Sequence, residues 1–289
     1  MHFKNYCFIN GDMLNTEILK PLIEKAETVI LLAGLVGDPI TKKYPKESAL
    51  INDKGVKNVI DLCADLNTKK FIFISTCSNY GLIKNNELAD EKFELNPLSF
   101  YAKSKVNAEK YILSLKDTTD MNPTILRFAT AFGLSPRMRF DLTISEFTRE
   151  LALGKELVVY DADTWRPYCH VNDFARLIQM AIEAPIEKVS FEVFNAGGDI
   201  NNANKKMIVD AIINKIPEGR VKYQEHGSDP RNYRVNFKKV ESVIGFEPKY
   251  TIHDGIEELI DAINNHVFDR VDEMPNLFGN YEINYPVPL

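Results

Sequence analysis

Apolar residues follow two alternating patterns through the first half of the chain. Short apolar runs, which predict β-strands, occupy residues 6–9, 28–33, 70–75 and 124–126. Between them, apolar residues recur every three or four positions at 17–25, 47–66 and 97–115, which predicts amphipathic helices. Because strands alternate with helices, we predict an α/β fold with a doubly wound parallel sheet.

The pattern changes after Gly133. A basic loop at 135–139 precedes predicted helices at 141–153, 171–183, 204–215 and 253–265, and strands are predicted at 157–159 and 191–194. Residues 274–289 have no clear period and predict an extended arm. We therefore predict a larger sheet domain at 1–134, to which 169–197 return, and a smaller, loop-rich domain at 135–289.

The composition narrows the possible partners and the cellular location. The 289-residue chain has a formal net charge of −6, so it offers no global basic field to nucleic acid. No apolar run reaches the roughly 20 residues that cross a bilayer, and the N-terminus lacks the layout of a signal peptide. We expect a cytoplasmic protein with no membrane partner.

The cysteines and histidines show no pattern of a metal site. The four cysteines form no C-x-x-C pair and the five histidines form no H-x-x-x-H pair, so we expect neither a disulfide framework nor a bound metal. Cys7 and Cys169 lie in apolar surroundings and are predicted to be buried thiols.

The first candidate for chemistry is the pair Tyr101 and Lys105. Residues four apart share one face of a helix, so both side chains can point into one cleft. A nearby ammonium would lower the pKa of Tyr101 toward that of a general base. Asn96 as N-cap and Pro97 as first residue predict where the helix begins. The spacing alone also fits a surface tyrosine beside a solvated lysine.

A second signal lies at the end of the strand predicted at 70–75. Ser75 and Thr76 place hydroxyls at its carboxyl end, where ligands bind in open α/β sheets. S-[ST]-x-x-x-Y-G up to Gly81, followed by Y-x-x-x-K at Tyr101, resembles the extended short-chain dehydrogenase/reductase family, in its NAD-dependent epimerase/dehydratase branch. The resemblance continues, in order, through residues 8–13, 29–35, 51–58, 126–133, 165–173 and 194–198. It implies a Rossmann-like cofactor domain at 1–134 and a substrate domain at 135–289.

The resemblance also implies a role for particular residues. Tyr101 would be the acid/base, Lys105 its electrostatic partner that also binds the nicotinamide ribose, and Thr76 would bond the reacting sugar hydroxyl. NAD would be the cofactor, with NADP left open. The residues implied to contact it are Asp12, Met13, Ala33, Gly34, Leu35, Asn52, Ser75, Tyr101, Lys105 and Phe128. Asp12 could instead cap the following helix, and Asn52 could be an ordinary polar side chain.

The substrate implied by the resemblance is a nucleoside-diphosphate sugar. Arg166 would bind its diphosphate, because a planar guanidinium matches phosphate oxygens. Thr130 stands where the family usually has a substrate-side asparagine. Arg231, or else Arg234, would replace a late arginine that is displaced here. Arg139 adds positive charge at the nucleotide end, or belongs to a solvated basic loop.

The chain departs from the family at the glycine-rich turn. Family members carry G-x-x-G-x-x-G after the first strand, where the glycines bring the backbone close to the pyrophosphate. The only nearby candidate is Gly34-Leu35-Val36-Gly37, so we expect an N-terminally truncated sheet without the first strand–helix–strand. A misplaced start codon or truncated chain, a decayed gene, or a domain that recruits a partner would each account for this.

The function implied is oxidation and reduction at C4 of the sugar, with a 4-epimerase preferred over a simple dehydrogenase or reductase. Cys77 and Ser78 replace the Asp-Glu pair of dehydratases, which disfavours 4,6-dehydration. The alternative is an inactive remnant that binds sugar nucleotides or only dimerises. By the same resemblance, we expect a homodimer formed through the helices at 47–66 and 97–115.

Overall fold

The computed structural model describes residues 5–83, 87–227 and 229–283. Helices α1 to α11 occupy, in order, Thr16–Ile23, Asp38–Lys43, Pro45–Ser48, Val56–Asp65, Phe100–Ser114, Thr143–Ala152, Val171–Glu183, Ile186–Val189, Lys205–Ile213, Lys238–Ile244 and Ile252–Asn264. Strands β1 to β11 occupy Thr28–Leu31, Lys70–Thr76, Leu88–Ala89, Pro123–Phe128, Thr130–Phe132, Glu156–Tyr160, Trp165–His170, Glu192–Ala196, Asn202–Asn204, Arg220–Gln224 and Arg234–Val235. A π-helical stretch at Ala49–Gly55 joins α3 to α4, and 3₁₀ turns lie at Cys77–Tyr80 and Asp199–Asn201.

The central sheet consists, within the described ranges, of four parallel strands in the order β1-β2-β4-β8. Phe73 in β2 lies opposite Leu31 on one side and Ile125 on the other. Nearly all of β2 is buried, as expected for a strand with an apolar centre between two covered faces. β2 ends at Thr76, directly opposite Phe128 at the end of β4. The carboxyl ends of these strands therefore meet at one edge.

Helices cover both faces of this sheet, which confirms the predicted doubly wound α/β fold. On one face, Ile60 of α4 and Ile112 of α5 pack with Phe71 of β2 in a single buried cluster. On the other face, Leu177 of α7 packs with Ile72 of β2 in a second cluster. The central sheet is thus covered by helices on both faces, each in its own buried cluster.

The part of the chain from β5 onward forms a further core with its own small sheets. The parallel pair β6-β10 and the three-stranded set β5-β7-β9 lie with α6, α9 and α11. Phe147, Val159, Ile208 and Ile256 are buried together there. β8 returns to the central sheet beside β4, so the chain passes between the two parts more than once.

The predicted strand at 6–9 is wrong. Its residues have no regular secondary structure and pair with no strand among the described residues, and Tyr6, Phe8 and Ile9 are exposed by 70%, 74% and 50%. A strand needs a neighbour that completes its backbone hydrogen bonds, and β1 pairs only with β2 within the described ranges. Cys7 in this segment is exposed rather than buried, whereas Cys169 is buried as predicted.

The other predicted elements are confirmed to within a few residues, with one change at the start of α5. Asn96 and Pro97 do not begin the helix. The Asn96 N–H donates to the Asn79 carbonyl at 3.0 Å, which ties this segment to the preceding turn. Ser99 is the N-cap instead, and its hydroxyl accepts from the Ala102 N–H at 3.2 Å.

The predicted extended arm is wrong for the residues that the structure describes. Residues 275–283, which we call the tail, pack against the rest of the chain. Phe278 contacts Phe140, and Asn280 donates to the Val36 carbonyl at 2.7 Å. Residues 284–289 lie outside the described residues. Among the described helices, none has both the length and the apolar character needed to cross a membrane.

Candidate active site

Thr76, Tyr101 and Lys105 come together at the carboxyl end of β2. Thr76 is the last residue of that strand, and the Ser99 cap starts α5 so that its first two turns face it. The Thr76 side chain lies close enough to the Tyr101 phenol to lower its pKa. Lys105 donates to the Ile74 carbonyl at 2.7 Å, and its ammonium lies 6.0 Å from the centre of the Tyr101 ring. The surface-tyrosine alternative is therefore wrong, since Lys105 is 7% exposed.

The electrostatics of Tyr101 differ from the sequence expectation. Burial raises the pKa of Tyr101, the Asp38 carboxylate raises it further, and Arg139 and the Thr76 side chain oppose both. Burial also lowers the pKa of Lys105 to about 8, against the attraction of Glu109. The expected lowering of the tyrosine pKa by Lys105 is wrong here, because desolvation of the phenolate dominates. Tyr101 is consequently held in its protonated form at neutral pH.

A buried ion pair lies beneath this junction. Arg127 of β4 contacts Glu109 of α5 with three hydrogen bonds of 2.7 to 3.1 Å. The Ser75 hydroxyl and the Asn79 amide also donate to Glu109. The hydroxyl of Ser75 thus serves this network, which locks the end of β2 to α5 and β4. Glu109 could have been found in the sequence, because it lies four residues after Lys105 on the same helix face.

The loop after β1 is held by Asn52. Asn52 lies in the π-helical stretch, accepts from the Leu35 N–H at 2.8 Å and donates to the Leu35 carbonyl at 2.9 Å. Gly34 has φ 154°, and a Cβ there would lie 3.0 Å from the Asn52 oxygen. Asn52 is 5% exposed, so its interpretation as an ordinary polar residue is wrong. It fixes the path of Ala33, Gly34 and Leu35.

The remaining predicted cofactor residues lie around this loop and at the end of β4. Asp12 accepts from the Leu14 N–H at 2.9 Å, while Asn15 caps α1, so the alternative that Asp12 caps α1 is wrong. Met13 packs against Gly55 of the π-helical stretch. Phe128 stacks on Phe174, with ring centres 3.7 Å apart and an angle of 4° between the planes.

Two of the predicted substrate arginines share one carboxylate. Asp229 accepts from Arg166 at 3.0 Å and from Arg231 at 2.7 and 2.8 Å. Arg231 also pairs with Asp38 at 2.9 Å, and so connects the loop at 229–231 to the first residue of α2. Although burial opposes them, Arg231 and Arg166 hold the pKa of Asp229 far below its ordinary value. Sequence reasoning missed Asp38 and Asp229, since neither belongs to a matched motif.

The other predicted substrate residues lie nearby in the chain's second part. Arg139 makes two hydrogen bonds of 2.6 Å to Asp141 and is 18% exposed, so the solvated-loop interpretation is wrong for this residue. Thr130 lies in β5, opposite Tyr168 of β7. Cys77 is buried, and its thiol donates to the Arg127 carbonyl at 3.1 Å. Burial raises the pKa of Cys77, which makes it a poor acid.

A cavity of about 620 Å³ opens beside α5. Its lining residues come from the start of α2, the start of α5 and the loop at 229–231: Asp38, Pro39, Lys42, Leu98, Ser99, Phe100, Lys103, Asp229, Pro230 and Arg231. A second cavity of about 560 Å³ lies between residues 161–164 and 223–226. In the described part of the chain, no three His, Cys, Asp or Glu side chains are grouped to hold a metal ion.

Comparison with known proteins adds to this geometry. Residues 2–197 match the model of the NAD dependent epimerase/dehydratase family. The chain is 26% identical over 265 residues to the low-salt glycan biosynthesis protein Agl12 of Haloferax volcanii, covering 89% of this chain and 82% of that protein. It is 24% identical over 263 residues to a UDP-glucuronate 4-epimerase of Thermodesulfobacterium geofontis, covering 89% and 79%. The structure superposes on a Thermotoga maritima UDP-glucose 4-epimerase solved with UDP-glucose, with a TM-score of 0.81, 22% identity, and 92% and 87% of the two chains covered.

Proposed function

The chain belongs to the NAD dependent epimerase/dehydratase family, as its motifs predicted, and we propose that it oxidises and reduces C4 of a nucleoside-diphosphate sugar. Tyr101 is the acid/base of this reaction. The observation that carries the proposal is the meeting of Thr76, Tyr101 and Lys105 at the carboxyl end of β2. Ligands of open α/β sheets bind at that edge.

Each of the three residues has a definite task in the proposed reaction. Thr76 holds the C4 hydroxyl by a hydrogen bond, and the Tyr101 oxygen takes its proton during oxidation and returns it during reduction. Lys105 supplies positive charge at one helical turn from Tyr101. Because burial and Asp38 keep Tyr101 protonated, oxidation is expected to accelerate as the pH rises and reduction to require no prior protonation.

The residues present fit three parts of NAD: the nicotinamide ribose, the phosphates and the adenine. Tyr101 and Lys105 would hold the nicotinamide ribose. Leu35 would line the phosphates, because Asn52 hydrogen-bonds both its N–H and its carbonyl and so fixes its backbone. Asp12 would face the adenine end. When bound, NAD supplies the hydride acceptor and donor of the family's chemistry. Among the described residues, the turn between β1 and α2 has Gly34 and Gly37 but not the three spaced glycines of the family's pyrophosphate turn, and the choice between NAD and NADP stays open.

The substrate end of the site supports a diphosphate ligand. Arg166 and Arg231 lie side by side around Asp229, and Arg139 lies at the neighbouring loop. Guanidinium groups bind phosphate oxygens through two parallel hydrogen bonds. Thr130 on β5 would replace the usual asparagine as a neutral donor.

Epimerisation is preferred over dehydration and over simple reduction. The site lacks an acid next to Thr76 that could protonate a leaving hydroxyl, since Cys77 is buried with a raised pKa and Ser78 bonds Tyr233. Two of the relatives named above are 4-epimerases. Without a leaving-group acid, the C4 ketone can only take hydride back, on either face.

The test is a product assay with NAD and, separately, UDP-glucose, UDP-glucuronate and dTDP-glucose. The expected result is the 4-epimer of at least one sugar, separated by chromatography. Tyr101→Phe is expected to reduce kcat by roughly 10²- to 10⁴-fold and to leave the affinity for the nucleotide sugar unchanged. Tyr6→Phe is the control, because Tyr6 is 70% exposed and is not among the proposed site residues. Full turnover by Tyr101→Phe would refute the acid/base role.

A second candidate function is binding of sugar nucleotides without turnover. The observation that favours it is the arginine pair around Asp229, which could bind a sugar diphosphate whether or not NAD binds. Calorimetry with NAD separates the two functions. Binding of a nucleotide sugar together with no measurable binding of NAD would support this second candidate.

We also propose a homodimer formed by α4 and α5, as the family resemblance implies. These helices lie side by side, and the Tyr111 hydroxyl of α5 donates to Asp61 of α4 at 2.5 Å. Light scattering that gives the mass of one chain at micromolar concentration would contradict this proposal.

A further inference from the structure

Asp38 is a carboxylate at the mouth of the proposed sugar site that the reaction does not use. It is the first residue of α2 and lines the cavity of about 620 Å³ beside Ser99 and Arg231. One of its oxygens pairs with Arg231 at 2.9 Å. The other oxygen is buried and has no hydrogen-bond partner among the described residues. A buried carboxylate oxygen without a donor is costly, so this atom is suited to a donor from a ligand.

Asp38 also lies close to the reacting end of the site. It is the charged group with the greatest influence on Tyr101, whose pKa it raises. The Arg231 guanidinium pairs with Asp38 and also donates to the Ser78 hydroxyl at 3.4 Å. Ser78 lies two residues after Thr76. A sugar held at Thr76 and Tyr101 would therefore have part of its ring beside Asp38.

The neighbouring arginines already have carboxylate partners. Arg139, whose charge reaches Tyr101, pairs with Asp141 at 2.6 Å. Arg231 is already paired with both Asp38 and Asp229. Lys42 and Lys103 line the same cavity, but both are exposed on its rim, where solvent screens their charge. The unpartnered oxygen of Asp38 is thus a negative acceptor on a residue that lines the cavity.

We propose that Asp38 selects the sugar, accepting a hydroxyl of a neutral sugar and rejecting a uronate. This inference rests on the proposed function of the same site. A hydroxyl donates to a carboxylate and completes its buried oxygen. A sugar carboxylate at that place offers no donor and repels Asp38. Relatives of both kinds occur, since one is named for UDP-glucuronate and one for UDP-glucose.

The test is calorimetric binding of UDP-glucose and UDP-glucuronate, which differ only in a neutral or an anionic group at C6. The protein is expected to bind UDP-glucose on the order of tenfold more tightly. Asp38→Asn is expected to remove or reverse this preference, because the repulsion is lost and Arg231 keeps only Asp229 as an anionic partner among the described residues. Asp38→Glu keeps the charge and should keep the preference. Asp65→Asn, an exposed carboxylate at the end of α4, is the charge-matched control.

The ratio of the two affinities distinguishes selection from a structural role. If Asp38→Asn weakens both ligands equally, Asp38 only holds Arg231 in place and the inference is wrong. Equal affinities in the unaltered protein, or tighter binding of UDP-glucuronate, also overturn it. If neither ligand binds to the unaltered protein, it is the proposed function that fails, and the inference with it.

Discussion

β2 and the segment at 6–9 have nearly the same apolar pattern. β2 is a buried strand, whereas the segment at 6–9 is exposed and pairs with no strand among the described residues. Phe73 is fully buried between two paired strands, whereas Phe8 is 74% exposed. The difference does not come from the side chains. β2 has a strand on each side and helices on each face, while the described residues provide no strand beside 6–9. An apolar run therefore becomes a strand only where neighbours complete its hydrogen bonds.

The largest expected effect comes from breaking the support of the active-site junction. Glu109→Gln leaves the Arg127 guanidinium buried beside a neutral amide, and should reduce the free energy of unfolding by about 3–5 kcal/mol. Urea unfolding followed by circular dichroism measures this loss. The control is Asp61→Asn, at a partly exposed pair with Lys57, which should cost less than about 1 kcal/mol. Equal losses in the two variants would mean that the buried network does not stabilise the junction.

A smaller effect is expected from pH at Lys105. Burial lowers its pKa to about 8, from an ordinary value of 10.5. The charged form of Lys105 therefore destabilises the folded state relative to the unfolded state. The unfolded chain binds more protons between these two values, and Lys105 therefore makes the protein more stable as the pH rises from about 8 toward 10.5.

Lys105→Met removes this dependence. The difference in free energy of unfolding between Lys105→Met and the unaltered protein should shift with pH in favour of the unaltered protein from pH 7 to pH 10. Urea titrations at three pH values measure the shift. A difference that stays constant across this range would show that Lys105 is charged equally easily in the folded and unfolded states.

The smallest effect is expected in the exposed segment. Phe8→Ala should change the free energy of unfolding by less than about 0.5 kcal/mol, because the ring already lies in solvent. Phe73→Ala, the buried counterpart, should lose about 3–5 kcal/mol. Thermal unfolding of both variants makes the comparison direct. A loss above 2 kcal/mol for Phe8→Ala would mean that this segment is packed in solution.

The sequence predicted most of the fold and the central part of the candidate site, because both depend on local periodicity. The spacing of Tyr101 and Lys105 is a property of any helix, and it correctly brought both residues to the end of β2. The start of α5 was missed because Asn96 is a good N-cap by type but is bound to Asn79, a contact visible only after folding. Asp38 was missed for a similar reason: its partner Arg231 lies far away in the chain.

The sign of the tyrosine pKa shift also could not be predicted from spacing. An ammonium four residues away favours the phenolate only if nothing else competes for it. Here Lys105 donates to the Ile74 carbonyl, and burial governs Tyr101. Desolvation depends on every layer packed around a group, which a motif does not encode.

The tail at 275–283 connects two parts of the chain that flank the candidate site. Asn280 receives a hydrogen bond from Arg137 and gives one to the Val36 carbonyl, while Glu282 pairs with Lys43 and Tyr44. The loop that carries Arg139 and the helix that carries Asp38 are thereby tethered to each other at a distance from the chemistry. Any movement that separates this loop from α2 must first break the contacts of the tail at 275–283.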